Sequence, residues 1–132
     1  MLNKILYIED DAVTQMLFAA LNRRASFAED VISAYHGQQA IDYYEELLKT
    51  RHPEYPSLIL LDLNMPVMDG WQFLDEYMRR YARYFDKTRV VIVTSSDDKK
   101  DLEKAKRFPI VRKVLPKPLT PDVITTLSKL LS

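Results

Sequence analysis

Three runs of four apolar residues, Ile5–Ile8, Leu58–Leu61 and Val90–Val93, interrupt a chain in which apolar and polar positions are otherwise mixed. None of them alternates, which is the pattern of a strand buried on both faces of a parallel sheet. Two weaker runs, Asp30–Ala34 and Val111–Leu115, bring the strand candidates to five. Between them the apolar spacing becomes helical. Val13, Met16, Leu17, Ala20 and Leu21 share one face of a helix over Ala12–Arg24, and Ala40, Ile41, Tyr44, Leu47 and Leu48 mark a second. Leu74, Tyr77, Met78, Tyr81 and Phe85 mark a third, with Trp71 and Phe73 near its start. The segment Asp98–Phe108 offers only Leu102 and Ala105, so this helix is expected to be the least firmly docked. Thr120 as cap and Pro121 at the first helical position open the last helix. There Val123, Ile124, Leu127, Leu130 and Leu131 are expected to face the core.

The turns fall where this reading needs them: His36-Gly37, the polar stretch from Thr50 to Pro56, Pro109, and Pro116-Lys117-Pro118. Strand and helix thus alternate five times, which implies an α/β fold with a parallel sheet covered on both faces. The 132 residues suffice for one domain, expected to span 1–132 with no output domain after it.

Composition narrows the function classes. Nineteen basic and nineteen acidic residues cancel, so no net field draws the chain to nucleic acid or an anionic membrane. With no cysteine there is neither a disulfide framework nor a thiolate metal site. The amino terminus lacks a signal-peptide layout and no apolar run is long enough to span a bilayer, so a soluble, cytoplasmic protein is expected.

Parallel strands bring their carboxyl ends to one edge of the sheet, where open α/β sheets bind ligands. Reading off those ends gives Glu9 and Asp10, then Asp62, Thr94 and Lys117. Converging carboxylates repel unless a cation intervenes, and Mg²⁺ takes one or two carboxylates while keeping waters and phosphate oxygens. An ammonium and a hydroxyl complete a set suited to a phosphoryl group, with Asp62 as the nucleophile. Asp11 reads more simply as a negative charge at the positive end of a helix, Asp69 as a helix cap, Gly70 as a turn residue, and His36 and His52 as turn and loop residues.

Ile8-Glu9-Asp10-Asp11, the stretch Leu60 to Gly70 containing Asp62-Leu-Asn-Met-Pro-Val-Met-Asp69-Gly70, Val93-Thr94-Ser95 and Lys117-Pro118 together resemble one family signature. It is that of response-regulator receiver domains of two-component signalling, of the stand-alone, chemotaxis-regulator-like kind, and the resemblance covers essentially the whole chain. It implies a flavodoxin-like (βα)5 fold, a doubly wound five-stranded parallel sheet in the order 2-1-3-4-5. It further implies that Asp62 accepts a phosphoryl group from a histidine kinase or phosphotransfer protein. Asp10 and Asp62 would bind Mg²⁺, with Glu9 acting through water and Asn64 through its backbone carbonyl. Thr94 would turn toward the phosphoryl group, Lys117 would pair with it, and Asn64 and Ser96 would tune dephosphorylation. The Lys117–Pro118 peptide is expected to be cis.

In two respects the chain departs from the resemblance, the milder being that Glu9 stands where aspartate is commoner and that Pro116 precedes Lys117. An aromatic residue usually stands three positions before the lysine, in the fifth strand, and here that residue is Val114. A rotating ring cannot be the readout at this position. The expected function is a phosphorelay switch that reshapes a surface for an unidentified downstream protein, with neither nucleic acid nor membrane as partner and no enzymatic role beyond its own phosphorylation and dephosphorylation. Two alternatives belong to other classes: a phosphorylation-independent docking module, and an aspartate-nucleophile phosphohydrolase. The second needs an acid two residues after the nucleophile, where this chain has Asn64.

Overall fold

The computed structural model describes residues 1–131. Its five strands are β1 (Leu2–Ile8), β2 (Ala28–Ala34), β3 (Leu58–Leu61), β4 (Arg89–Thr94) and β5 (Val111–Pro116). The helices that follow them are α1 (Ala12–Ala25), α2 (Gly37–Thr50), α3 (Gly70–Arg80), α4 (Lys99–Ala105) and α5 (Pro121–Leu131). All pairings are parallel and the order is β2-β1-β3-β4-β5, the doubly wound flavodoxin-like arrangement.

The apolar runs divide residue by residue between two cores, because side chains alternate across a strand. Leu6, Ile8, Ile59, Leu61, Val90 and Ile92 pack on the α2–α3 side. Ile5, Tyr7, Leu58, Leu60, Val91 and Val93 pack on the α1–α5 side with Phe18, Ile124 and Leu127. Removing one such leucine side chain costs about 3 kcal/mol once the residual cavity is included. The α2–α3 core is unusually aromatic: the rings of Tyr44 and Tyr77 meet edge to face at 4.9 Å, and Tyr81 and Phe85 pack beside Tyr44. Tyr77 and Tyr81 are therefore core residues, and only Tyr84 of that group is well exposed.

Several sequence expectations require correction. The inward face of α1 is Gln15, Phe18 and Asn22, while Val13, Met16 and Leu17 point outward. The cause is polar capture of backbone. The Asn22 amide donates to Ala28 O at 3.0 Å and accepts from Ala28 N–H at 2.7 Å, and Gln15 makes three comparable bonds described below. These bonds rotate α1 so that its apolar side remains in solvent. Met78 and Leu130 are likewise exposed, and α3 ends at Arg80, so Phe85 reaches the core only after a 3-10 turn over Ala82–Tyr84. Helix α4 is shorter than its charge pattern suggested, and Ala105 is its one buried residue. Strand β2 begins two residues earlier than expected, at Ala28 rather than Asp30.

Candidate functional site

In-register pairing brings the strand ends together. Ile8 faces Leu61 and Leu61 faces Ile92 across the sheet, so the residues that follow each strand emerge side by side. Asp62 N–H donates to Ile8 O at 3.0 Å, and Lys117 N–H donates to Thr94 O at 3.0 Å. Glu9, Asp10 and Asp62 thereby converge, with one carboxylate oxygen from each within 4.8 Å of the others. Glu9 and Asp62 are almost fully buried, whereas Asp10 faces solvent.

Lys117 is the counterion. Its ammonium donates to Glu9 Oε1 in a short contact and lies 3.3 Å from Asp62 Oδ2. Burial alone would lower the lysine's pKa, but the bond to Glu9 and the charge of Asp62 outweigh it and hold the ammonium above its ordinary value. Desolvation, then the hydrogen bond and charge of Glu9, push the Asp10 carboxyl above the usual aspartate range. The Tyr7 hydroxyl, buried behind the site, is raised for the same reasons, with Glu9 and Asp62 adding to burial.

The second strand end was not read from the sequence as part of the site, yet Gln15 ties it in. Its Nε2 donates to the carbonyls of Tyr7, Glu9 and Ala34 at 3.0–3.2 Å, stitching β1 to β2 directly beneath Glu9. A lone glutamine in an amphipathic helix gives no sequence signal of this role.

The loop after β3 is held just as firmly. Asn64 N–H donates to Asp62 Oδ1 at 3.2 Å, fixing the carboxylate's orientation, while the Asn64 residue is itself exposed. Met68 N–H donates to Pro66 O at 2.8 Å across Val67, whose φ of 68° makes this a tight γ-turn centred on a β-branched residue. Such a backbone costs about 1–2 kcal/mol and persists only because its neighbours hold it. Asp69 caps α3 through Gln72 N–H at 2.8 Å, and Gln72 Oε1 returns the bond to Asp69 N–H at 2.9 Å, a reciprocal capping box. A Cβ on Gly70 would stand 2.5 Å from Asp62 O and 2.8 Å from Leu63 Cα, so only glycine lets α3 start this close to Asp62.

Thr94 ends β4 buried, and its Oγ1 accepts from Ser96 N–H at 3.0 Å. Asp11 caps α1 through Thr14 N–H and His36 caps α2 through Gln39 N–H, both structural duties. The Lys117–Pro118 peptide is cis. Val114 is half-buried in β5.

Three buried or convergent carboxylates balanced by a single ammonium suit a hard cation with oxygen ligands, and the spread of the donor atoms lets one of them reach such an ion through water. Lys117, which spans Glu9 and Asp62, offsets part of their charge. Among the described residues no helix is long and apolar enough to cross a membrane.

Comparison with known proteins agrees with this geometry. Residues 5–129 match the response regulator receiver domain family. A two-component response regulator from Cytophaga hutchinsonii superposes with a TM-score of 0.88 at 28% identity, over 98% of this chain and 96% of that one. One from Legionella pneumophila gives 0.74 at 32% identity, over 98% and 97%. The probable C4-dicarboxylate response regulator DctR of Halalkalibacterium halodurans is 29% identical over 117 residues, which are 89% of this chain and 46% of that protein. The chain spans between 27% and 63% of the length of the curated relatives it matches. A parallel sheet in the order 2-1-3-4-5, an acid cluster at its carboxyl edge and a family match over nearly every residue lead to one conclusion: this chain belongs to the response regulator receiver domain family and is a domain of phosphorelay signalling.

Proposed function

We propose that Asp62 is the phosphoacceptor of this receiver, and that the domain covers residues 1–132 and acts in the cytoplasm. The observation that carries the reading is Lys117, held between Glu9 and Asp62 with Asp10 alongside. An Asp62 carboxylate oxygen attacks phosphorus, the P–N bond of a donor phosphohistidine breaks, and its electron pair stays on the imidazole, which takes up a proton. The product is an acyl phosphate on Asp62. Asn64 N–H and Lys117 orient the carboxylate so that one oxygen is presented for attack. Lys117 then neutralises charge on the transferred group. Thr94 turns its hydroxyl toward that group, and Asn64 and Ser96 line the path of the water that later hydrolyses it. Mg²⁺, held by Asp10 and Asp62 directly, Glu9 through water and the Asn64 carbonyl, would supply electrostatic neutralisation of the phosphoryl oxygens.

The outward side of α1 supports a donor protein that offers a helix. Val13, Met16 and Leu17 are 59%, 70% and 64% exposed. Beside them a groove of about 410 Å³ runs from Leu17 and Leu21 to Lys117 and Pro118, and the Lys117 ammonium at its end contacts Glu9 and Asp62. A histidine kinase or phosphotransfer helix seated there would bring its imidazole to Asp62. With Asn64 in place of a second acid, the chain lacks the acid/base group that a phosphohydrolase uses on external esters, so the domain signals through its own phosphorylation and dephosphorylation.

Incubation with Mg²⁺ and acetyl phosphate, followed by intact mass measurement, tests the reading. One phosphate adduct is expected, absent in Asp62→Asn. No adduct with any donor, a kinase included, would point instead to a docking module, and steady release of phosphate from esters would point to a phosphohydrolase.

A further inference from the structure

With Val114 at the half-buried position in β5, no ring there can report what happens at Thr94. A different connection leaves Thr94, toward α3 and α4. Ser96 N–H donates to Thr94 Oγ1, and the Ser96 hydroxyl donates to Asp101 Oδ2 at 3.1 Å while accepting from Asp98 N–H at 3.1 Å. The other oxygen, Asp101 Oδ1, accepts the indole Nε1–H of Trp71 at 3.2 Å. Trp71 is the residue after Gly70, in the first turn of α3. Its ring stacks on Phe108 at 6.0 Å, and the Lys104 ammonium lies 5.0 Å from its centroid. Asp101 therefore spends both carboxylate oxygens joining the loop after β4 to the start of α3, and a cavity of about 370 Å³ bordered by Asn64, Asp69, Trp71 and Asp101 lies between them.

We propose that Asp101 is a positioning residue of the switch, and that the chain Thr94–Ser96–Asp101–Trp71 transmits the state of Asp62 to α3 and α4 in place of a rotating aromatic. The inference rests on Asp62 being the phosphoacceptor. Drawing the Thr94 hydroxyl to a phosphoryl oxygen moves the loop that carries Ser96. Asp101, fixed to Trp71 at its other oxygen, cannot follow Ser96 without releasing one partner or carrying α4 along. Helix α4 is the element free to respond, since it has seven residues and only Ala105 is buried. Two further features fit the assignment: Trp71 is anchored by a stack, a cation and a hydrogen bond, and both Asp101 carboxylate oxygens are taken by the neutral donors Trp71 and Ser96.

Trp71 is the chain's single tryptophan, so its emission reads this connection directly. The full chain with Mg²⁺ is titrated with acetyl phosphate while phosphorylation is followed by intact mass and Trp71 by fluorescence. An emission change that tracks the adduct is expected in the unchanged protein. Asp101→Ala and the isosteric Asp101→Asn should still form the adduct but lower the amplitude of the change about fivefold, a typical coupling between two sites. Circular dichroism and urea midpoints identify a variant that fails to fold; should Asp101→Ala fail, Asp101→Asn decides alone. Normal adduct with unaltered amplitude in the folded variants overturns the inference while leaving Asp62 as acceptor. Absence of adduct in the unchanged protein overturns both.

Discussion

Lys117 Nζ lies 3.3 Å from Asp62 Oδ2 and donates at the same time to Glu9, so one ammonium holds two buried carboxylates from different strands. This is the contact that joins β5 to β1 and β3 at the site edge. Its contribution to stability is fully present below the ordinary lysine pKa of 10.5 and is lost as pH rises through the higher value that Lys117 has in the fold. Lys117→Ala should cost about 1–2 kcal/mol at neutral pH, read as a lower urea midpoint. It should also slow phosphorylation by acetyl phosphate by about 100-fold. Mg²⁺ binding, relieved of a competing cation, should tighten, and calorimetric titration measures that directly.

Gly70 is expected to be intolerant of the smallest side chain. A Cβ there meets backbone atoms of Asp62 and Leu63, and neither can move as a flexible side chain would. Gly70→Ala should destabilise the domain by about 2 kcal/mol, within the usual range for overpacking. Because the displaced carbonyl belongs to Asp62, adduct formation should slow as well. A variant as stable and as readily phosphorylated as the parent would show that α3 can retreat without disturbing Asp62.

Asp10 links proton and metal binding. Its carboxyl pKa lies above the ordinary 3.8, so in the metal-free fold its charged form is disfavoured and that cost is relieved as pH falls through the raised value. Mg²⁺ binds the charged form, so affinity should decline on acidification at a higher pH than an ordinary aspartate would give. Asp10→Asn should raise the metal-free Tm slightly, by less than about 1 kcal/mol in stability for so exposed a group, and abolish the rise in Tm that Mg²⁺ produces. Thermal scans from pH 5 to 8 with and without Mg²⁺ check both signs.

The apolar side of α1 should matter to protein donors and not to small ones. Leu17→Asp and Met16→Glu alter solvent-facing positions, so stability should stay within about 0.5 kcal/mol of the parent. Phosphorylation by acetyl phosphate should be unaffected, while transfer from a phosphotransfer protein should fall by about tenfold, the equivalent of about 1.4 kcal/mol of docking energy. Equal loss with both donors would place the defect at Asp62 instead.

The continuous runs Leu58–Leu61 and Val90–Val93 were legible as doubly buried strands because a parallel sheet leaves neither face wet. The convergence of the acids and the lysine at the strand ends is legible too, because parallel strands bring their carboxyl ends to one edge. Helix α1 departs from its hydrophobic spacing because that spacing is a proxy for burial, and here Gln15 and Asn22 are buried by bonds to the backbone of β1 and β2. No local pattern distinguishes such an amide from a solvated one. Likewise Asp101 looked like one more charge in a charged helix until Ser96 and Trp71 were seen on either side of it.

Sequence alone determined the layer order, the sheet direction and the chemistry available at Asp10, Asp62, Thr94 and Lys117, since periodicity and strand ends are local properties of the chain. Tertiary structure decided which way α1 faces, that Lys117 serves Glu9 as well as Asp62, and that Asp101 joins the loop after β4 to the start of α3. These depend on distances between residues as many as 108 positions apart, which become fixed only when both cores have packed against the sheet.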